Sequence, residues 1–231
     1  MFGYAKARIG WARHIAKLSA IQSMAEFQAY VRYVRPREFL RYEAYSEEKR
    51  REFQIVCQRL SISLSGKAFL DIGPGYGDAL DICHEQQAST IDFVESEPFF
   101  YTYNRLKAFG LAYRLNHVFQ LGRLEPEKYD LIWCKGSIGA DAFATRKPWR
   151  GGRFLDLSRW LAKVHRTASW DATIVICPHW RNNGSRRAIE NLRSNSFAAT
   201  MFEHGYNALE NIEGHNIQPG YPITFLRRRS P

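Results

Sequence analysis

The chain has 231 residues, 45% hydrophobic and 24% charged, enough to bury a core without disulfide or metal staples. Lys and Arg outnumber Asp and Glu by 33 to 23, a formal charge of +10, and such a field favours anionic partners: nucleic acid, phosphorylated metabolites or an anionic membrane surface. Cys57, Cys83, Cys134 and Cys177 form no CxxC pair and the histidines no HxxxH or HExxH spacing, which argues against a zinc or other metal site and against a disulfide framework.

The expected setting is therefore the reduced cytoplasm. No apolar run reaches the roughly 18 residues of a membrane span, and the N-terminus lacks the uninterrupted apolar region of a secretory signal.

In chain order, residues 1–62 read as helical. Ala5, Ile9, Ala12 and Ala16 fall on one helical face, and Lys6, Arg13 and Lys17 on the opposite one. Met24–Val34 is a second helix, which Pro36 ends by disfavouring the α conformation in the residue before it. Pro36 can open a third helix that runs to Leu60. Ser61–Gly66 is the linker, so the expected division is an N-terminal helical extension over 1–65 and a second domain over 66–231.

From Lys67 the rhythm changes to short apolar runs alternating with helical ones. The predicted strands are Ala68–Ile72, Thr90–Val94, His117–Leu121, Tyr129–Cys134, Ala172–Cys177, Ala208–Ile212 and Pro222–Arg228. The predicted helices between them are Asp78–Gln87, Pro98–Phe109, Arg153–Arg166 and Arg186–His204. This alternation implies an α/β fold, a mostly parallel sheet with helices on both faces.

One segment carries the chemistry. Phe69-Leu-Asp-Ile-Gly-Pro-Gly-Tyr-Gly77 joins an apolar strand, a glycine-rich turn and a helix start. Glycines at 73, 75 and 77 can take positive φ and let the backbone approach a ligand where a Cβ would clash. The free N–H groups of the following helix suit a carboxylate or phosphate. A GxGxG turn alone is as often a tight strand-to-helix connection as a binding site. Glu95 tips the balance: it closes the second strand, where a carboxylate can accept both hydroxyls of an adenosine ribose. A nicotinamide dehydrogenase also uses such a turn and a distal acid, but its G-x-G-x-x-G spacing is absent and so is a second nucleotide-binding half.

On these residues the chain resembles the class I S-adenosylmethionine-dependent methyltransferase family. Asp71-Ile-Gly-Pro-Gly-Tyr-Gly77 is similar to the family's first motif, D/E-x-G-x-G-x-G, and Val94-Glu95-Ser96-Glu97-Pro98 to its second-strand ending. Tyr129-Asp-Leu-Ile-Trp-Cys134 looks like its fourth-strand motif. The resemblance covers residues 66–229 and implies a Rossmann-like sheet of seven strands with an antiparallel last strand. It also implies S-adenosylmethionine as cofactor. Asp71, Gly73, Pro74, Gly75 and Gly77 would then hold its methionine end, and Glu95 its ribose. Ser96, Gln120 and Leu121 would flank the adenine, and Cys134 and Lys135 would line the wall near the sulfonium.

Transfer to a hydroxyl also needs a base, and the site should lie at the carboxyl ends of the fourth and fifth strands. His179 is the candidate base, against the alternative of a loop histidine satisfied by water or backbone; Lys135 is the candidate for steering an anionic acceptor or touching the cofactor carboxylate, against the alternative of a solvated lysine. The loop Gly139–Gly152 carries Arg146, Lys147, Trp149 and Arg150, where an acceptor would enter. The [DNS]-P-P-[YFW] signature resembling that of amine- and amide-methylating enzymes is absent after the fourth strand, which reads Trp-Cys-Lys-Gly.

The expected activity is O-methylation of a small-molecule or glycan acceptor bearing an anionic group. The alternatives are an RNA methyltransferase, which would use the basic charge for phosphate contacts, and a non-catalytic protein of this fold at a membrane surface or in a complex. The resemblance implies that the N-terminal extension over 1–65 folds over the cofactor as a lid; in that last case its basic helix would instead lie on anionic lipid.

Overall fold

The computed structural model describes residues 13–34, 47, 49–58, 60–95, 98–111, 115–117, 121–139, 157–179, 202–209 and 223–228. Its named helices are α1 (Met24–Val34), α2 (Asp78–Glu85), α3 (Pro98–Leu111) and α4 (Leu157–Thr167). Its strands are β1 (Ala68–Ile72), β2 (Thr90–Val94), β3 (Leu115–His117), β4 (Tyr129–Gly139), β5 (Ala168–His179), β6 (Phe202–Leu209) and β7 (Ile223–Arg228). Residues 13–20 and 49–58 are also helical.

The strands form one sheet in the order β3-β2-β1-β4-β5-β7-β6. β1 lies parallel between β2 and β4, with Ile72 opposite Val94 and Asp71 opposite both Phe93 and Trp133. β7 runs antiparallel to β5 and to β6. From β1 the chain winds outward to β2 and β3, then returns to the other side through β4. In such a sheet the carboxyl ends on either side of that reversal leave a crevice for ligands.

β1 is buried along its whole length, as expected for a central parallel strand covered on both faces. Its side chains alternate between two cores. Ala68, Leu70 and Ile72 pack with Trp160, Leu161 and Val164 of α4. Phe69 packs on the other face with Leu80 and Ile82 of α2 and with Phe53 and Val56. The helical segment 49–58 is therefore part of the sheet's own core, and its Phe53 ring meets Trp133 edge-on at 4.9 Å. Burying a side chain of this size stabilises by roughly 1.5–3 kcal/mol. A third cluster docks the N-terminal helices on α3: Leu18, Ile21, Phe27 and Val31 surround Leu106.

The α/β class and the parallel sheet agree with the sequence pattern, and Met24–Val34 is helical between the predicted bounds. Several boundaries need correction. β3 is described at Leu115–His117, beginning two residues before the expected strand; residues 118–120 lie outside the described residues, and Leu121, expected as the strand's last residue, opens a 3-10 turn, Leu121–Arg123, with Leu121 and Leu124 in the core. β4 and β5 extend beyond their apolar runs, with Lys135 opposite Cys177 and Gly139 opposite His179. The last residues of the helix expected at Arg186–His204 lie in β6, where Phe202 and Glu203 pair with Arg228 and Arg227. Strand pairing across distant sequence decided that segment, and helical periodicity cannot register it. Residues 186–201 lie outside the described residues.

Candidate functional site

The turn after β1 is held at both ends by backbone hydrogen bonds. Gly73 N–H donates to the Val94 carbonyl of β2 at 2.7 Å, and Gly77 N–H to the Pro74 carbonyl at 2.9 Å. Gly75 and Gly77 both have left-handed backbones, at φ +56° and +79°, but for different reasons. An added Cβ at Gly77 would lie 2.5 Å from Asn104 Oδ1 and 3.3 Å from Leu80 Cδ1, whereas one at Gly75 would meet nothing within 4 Å. Gly77 is a glycine because α3 packs against it, and it also caps the amino end of α2. Gly75 presents bare backbone to open space, as close approach by a ligand requires.

Two acids close the crevice. Asp71 and Glu95, at the carboxyl ends of β1 and β2, are only 2% and 5% exposed. Asp71 Oδ1 is buried and has no hydrogen-bond partner among the described residues. Burial pushes its carboxyl well above the usual carboxylate range, and the nearby charges of Glu95 and Asp78 push it further. A buried acid beside a second acid favours a cationic donor, which would restore its charged form. The acids and the bare turn together fit S-adenosylmethionine: the turn backbone and Asp71 can take the amino-acid end, with its ammonium, and Glu95 the ribose hydroxyls.

The structure thus brings together Asp71, Gly73, Pro74, Gly75, Gly77 and Glu95. Ser96 and Gln120 lie outside the described residues, as does the 140–152 stretch. Leu121 and Cys134 are buried, 8% and 1% exposed, in the core shared with Ile72 and Val94. Lys135 and His179 are placed by their backbones near the carboxyl ends of the adjacent strands β4 and β5. Asp130 sits at the opposite end, where its carboxylate accepts from Ala68 N–H and from the Ser169 hydroxyl, both at 2.9 Å, and so joins three strands. Among the described residues no three His, Cys, Asp or Glu side chains are placed to hold a metal ion.

Sequence reasoning missed Asn104, on α3. Its Nδ2 donates to the Gly75 carbonyl at 2.7 Å and to the Phe100 carbonyl at 3.0 Å, and the residue is 1% exposed. The one available signal was an asparagine inside an aromatic helix, a residue that helix interiors disfavour unless its side chain has a task.

No protein-family model and no curated protein sequence matches this chain. Solved structures do. The tRNA (m1A58) methyltransferase TrmI from Aquifex aeolicus superimposes with a TM-score of 0.52 at 16% identity, over 78% of this chain and 69% of its own. A second S-adenosylmethionine-dependent methyltransferase from Aquifex aeolicus gives 0.51 at 13% identity, over 76% and 89%. The chain has the class I methyltransferase fold. The [4+2]-cyclase SpnF also superimposes, at 0.52 and 13% identity over 79% and 81%, so the methyltransferase fold alone does not name the reaction. The bare turn and the two acids of this chain lie at the carboxyl ends of its central strands, where open α/β sheets bind ligands.

Proposed function

We propose that this protein is an S-adenosylmethionine-dependent methyltransferase acting on oxygen in a small-molecule or glycan acceptor that carries an anionic group. The observation that carries the cofactor reading is the pairing of open backbone at Gly75 with the buried acids Asp71 and Glu95. The anionic acceptor is supported by the +10 charge and by Arg146, Lys147 and Arg150 after β4. The buried thiols of Cys57 and Cys83 suit a cytoplasmic protein, and residues 1–65 are an extension of the catalytic domain 66–231 whose helical segment 49–58 packs into that domain's core.

When bound, the cofactor supplies a methyl already activated by its sulfonium. The protein's part is mainly alignment, which can contribute about 7–11 kcal/mol. The turn backbone and Asp71 hold the amino-acid end, and Glu95 fixes the ribose. Ser96, Gln120 and Leu121 flank the adenine, and Cys134 backs the site from the core. His179 accepts the acceptor's proton at a ring nitrogen, and Lys135 balances the acceptor's negative charge.

The second reading is an RNA methyltransferase, favoured by the same charge and by the likeness to a tRNA methyltransferase. Peripheral contact of the N-terminal basic helix with anionic lipid belongs to a third, non-catalytic reading. Titration calorimetry with S-adenosylmethionine, S-adenosylhomocysteine and NAD tests the cofactor, and binding of the first two without NAD is expected. NAD binding alone would overturn the proposal. Affinity for bulk RNA that falls steeply with salt would favour the RNA reading, and cofactor binding with no turnover but retention on anionic liposomes the non-catalytic one.

A further inference from the structure

We propose that Asn104 is a positioning residue that sets the shape of the cofactor turn from the helix behind it; this rests on the turn's being the cofactor site. Its two hydrogen bonds have different jobs. The bond to the Phe100 carbonyl is one helical turn back on α3 and fixes the side chain's own direction. The bond to the Gly75 carbonyl crosses to the turn and holds the peptide that follows Gly75, where an added Cβ would meet nothing within 4 Å. With Nδ2 donating to both carbonyls, Oδ1 is left against Gly77, where a Cβ would sit 2.5 Å away, and it accepts no hydrogen bond. One amide therefore touches the turn at Gly75 and at Gly77: it anchors the former by a donor and leaves room at the latter only for hydrogen.

α3 is itself braced, so the clamp has something rigid to push from. The Tyr76 ring of the turn stands edge-on to Phe100 at 5.1 Å and to Tyr103 at 5.6 Å. Tyr103 in turn contacts Phe27 of α1 at 5.5 Å. Lys107 pairs with Asp81 of α2 at 2.5 Å. The peptide shape at Gly75 is thus imposed by α3, and through α3 by the N-terminal helices. A turn already held in its binding conformation binds more tightly, because less ordering remains to be done on association.

The test is calorimetry of S-adenosylhomocysteine binding to the full-length protein and to Asn104→Asp, an isostere that replaces the donor with acceptors facing two carbonyls. Tyr129→Phe is the control: its hydroxyl bonds Asp92 at 2.7 Å, remote from the turn. Asn104→Asp is expected to weaken binding about tenfold or more, the equivalent of one to two lost hydrogen bonds. Tyr129→Phe is expected to lower the melting temperature while its Kd stays within about twofold.

Wild-type protein that fails to bind would count against the cofactor reading itself. Wild-type binding with an unchanged Kd in Asn104→Asp would overturn the role of Asn104 alone. Should Asn104→Asp not fold, Asn104→Ala, which adds no charge, replaces it with the same expected weakening. Failure of that variant to fold would show a residue of the whole fold and refute a role specific to the turn.

Discussion

Gly77→Ala and Gly75→Ala, two substitutions two residues apart in the same turn, should behave very differently. Each places an L side chain on a left-handed backbone, at φ +79° and +56°, which destabilises by about 1–2 kcal/mol. At Gly75 that is the whole effect, because an added Cβ meets nothing within 4 Å. At Gly77 the Cβ falls 2.5 Å from Asn104 Oδ1, so the amide must move and its bonds to the Gly75 and Phe100 carbonyls are strained or lost. Two hydrogen bonds at about 0.5–1.5 kcal/mol each bring the Gly77→Ala total to about 2–5 kcal/mol. In a chain of this size each kcal/mol lowers the melting temperature by about 2–4 °C.

The assay is chemical denaturation of the cofactor-free protein, repeated in an Asn104→Ala background. There the obstacle is gone, so Gly77→Ala should lose only the backbone part, and the cycle should show a coupling of about 1–3 kcal/mol. Equal destabilisation by the two substitutions, or a cycle without coupling, would refute the assignment of Gly77 to packing and Gly75 to ligand.

Other outcomes follow from the same geometry. Glu95→Ala should weaken S-adenosylmethionine binding by about tenfold or more while leaving the fold intact, as measured by calorimetry and circular dichroism. Asp71→Asn should weaken the cofactor yet raise the melting temperature of the free protein near neutral pH. The raised Asp71 carboxyl keeps its proton in the folded state after the unfolded chain has lost it. Its contribution is thus fully present below about pH 4 and is lost as pH rises through the folded value. The variant should flatten that fall in melting curves taken across pH; an unchanged slope would contradict the burial argument. His179→Ala should spare cofactor affinity and lower turnover by about a hundredfold or more, and unaltered turnover removes it as the base. Phe27→Ala, which empties a buried position between α1 and α3, should destabilise by about 3–5 kcal/mol, read by urea denaturation.

Local chemistry made much of the molecule legible from the chain alone. The Asp71–Gly77 segment announces a strand, a turn and a helix because glycine spacing and an apolar run are properties of neighbouring residues. The place of Glu95 at the end of β2 was legible the same way, from the apolar run before it. β1, β2, α1 and α3 sit close to their expected bounds for that reason. β6 did not, because Phe202 and Glu203 are strand only by pairing with Arg228 and Arg227, partners invisible to any local window. The residues that set the character of the site came from elsewhere in the chain too. Asn104 is an ordinary asparagine until α3 folds back behind the turn, and Asp71 is an ordinary acid until burial beside Glu95 raises its carboxyl above the usual range. Residue types and spacing determined that a turn of this kind would form after β1. Tertiary packing decided which glycine serves the fold and which faces open space, because that distinction consists only in what lies within a few ångströms of each Cα.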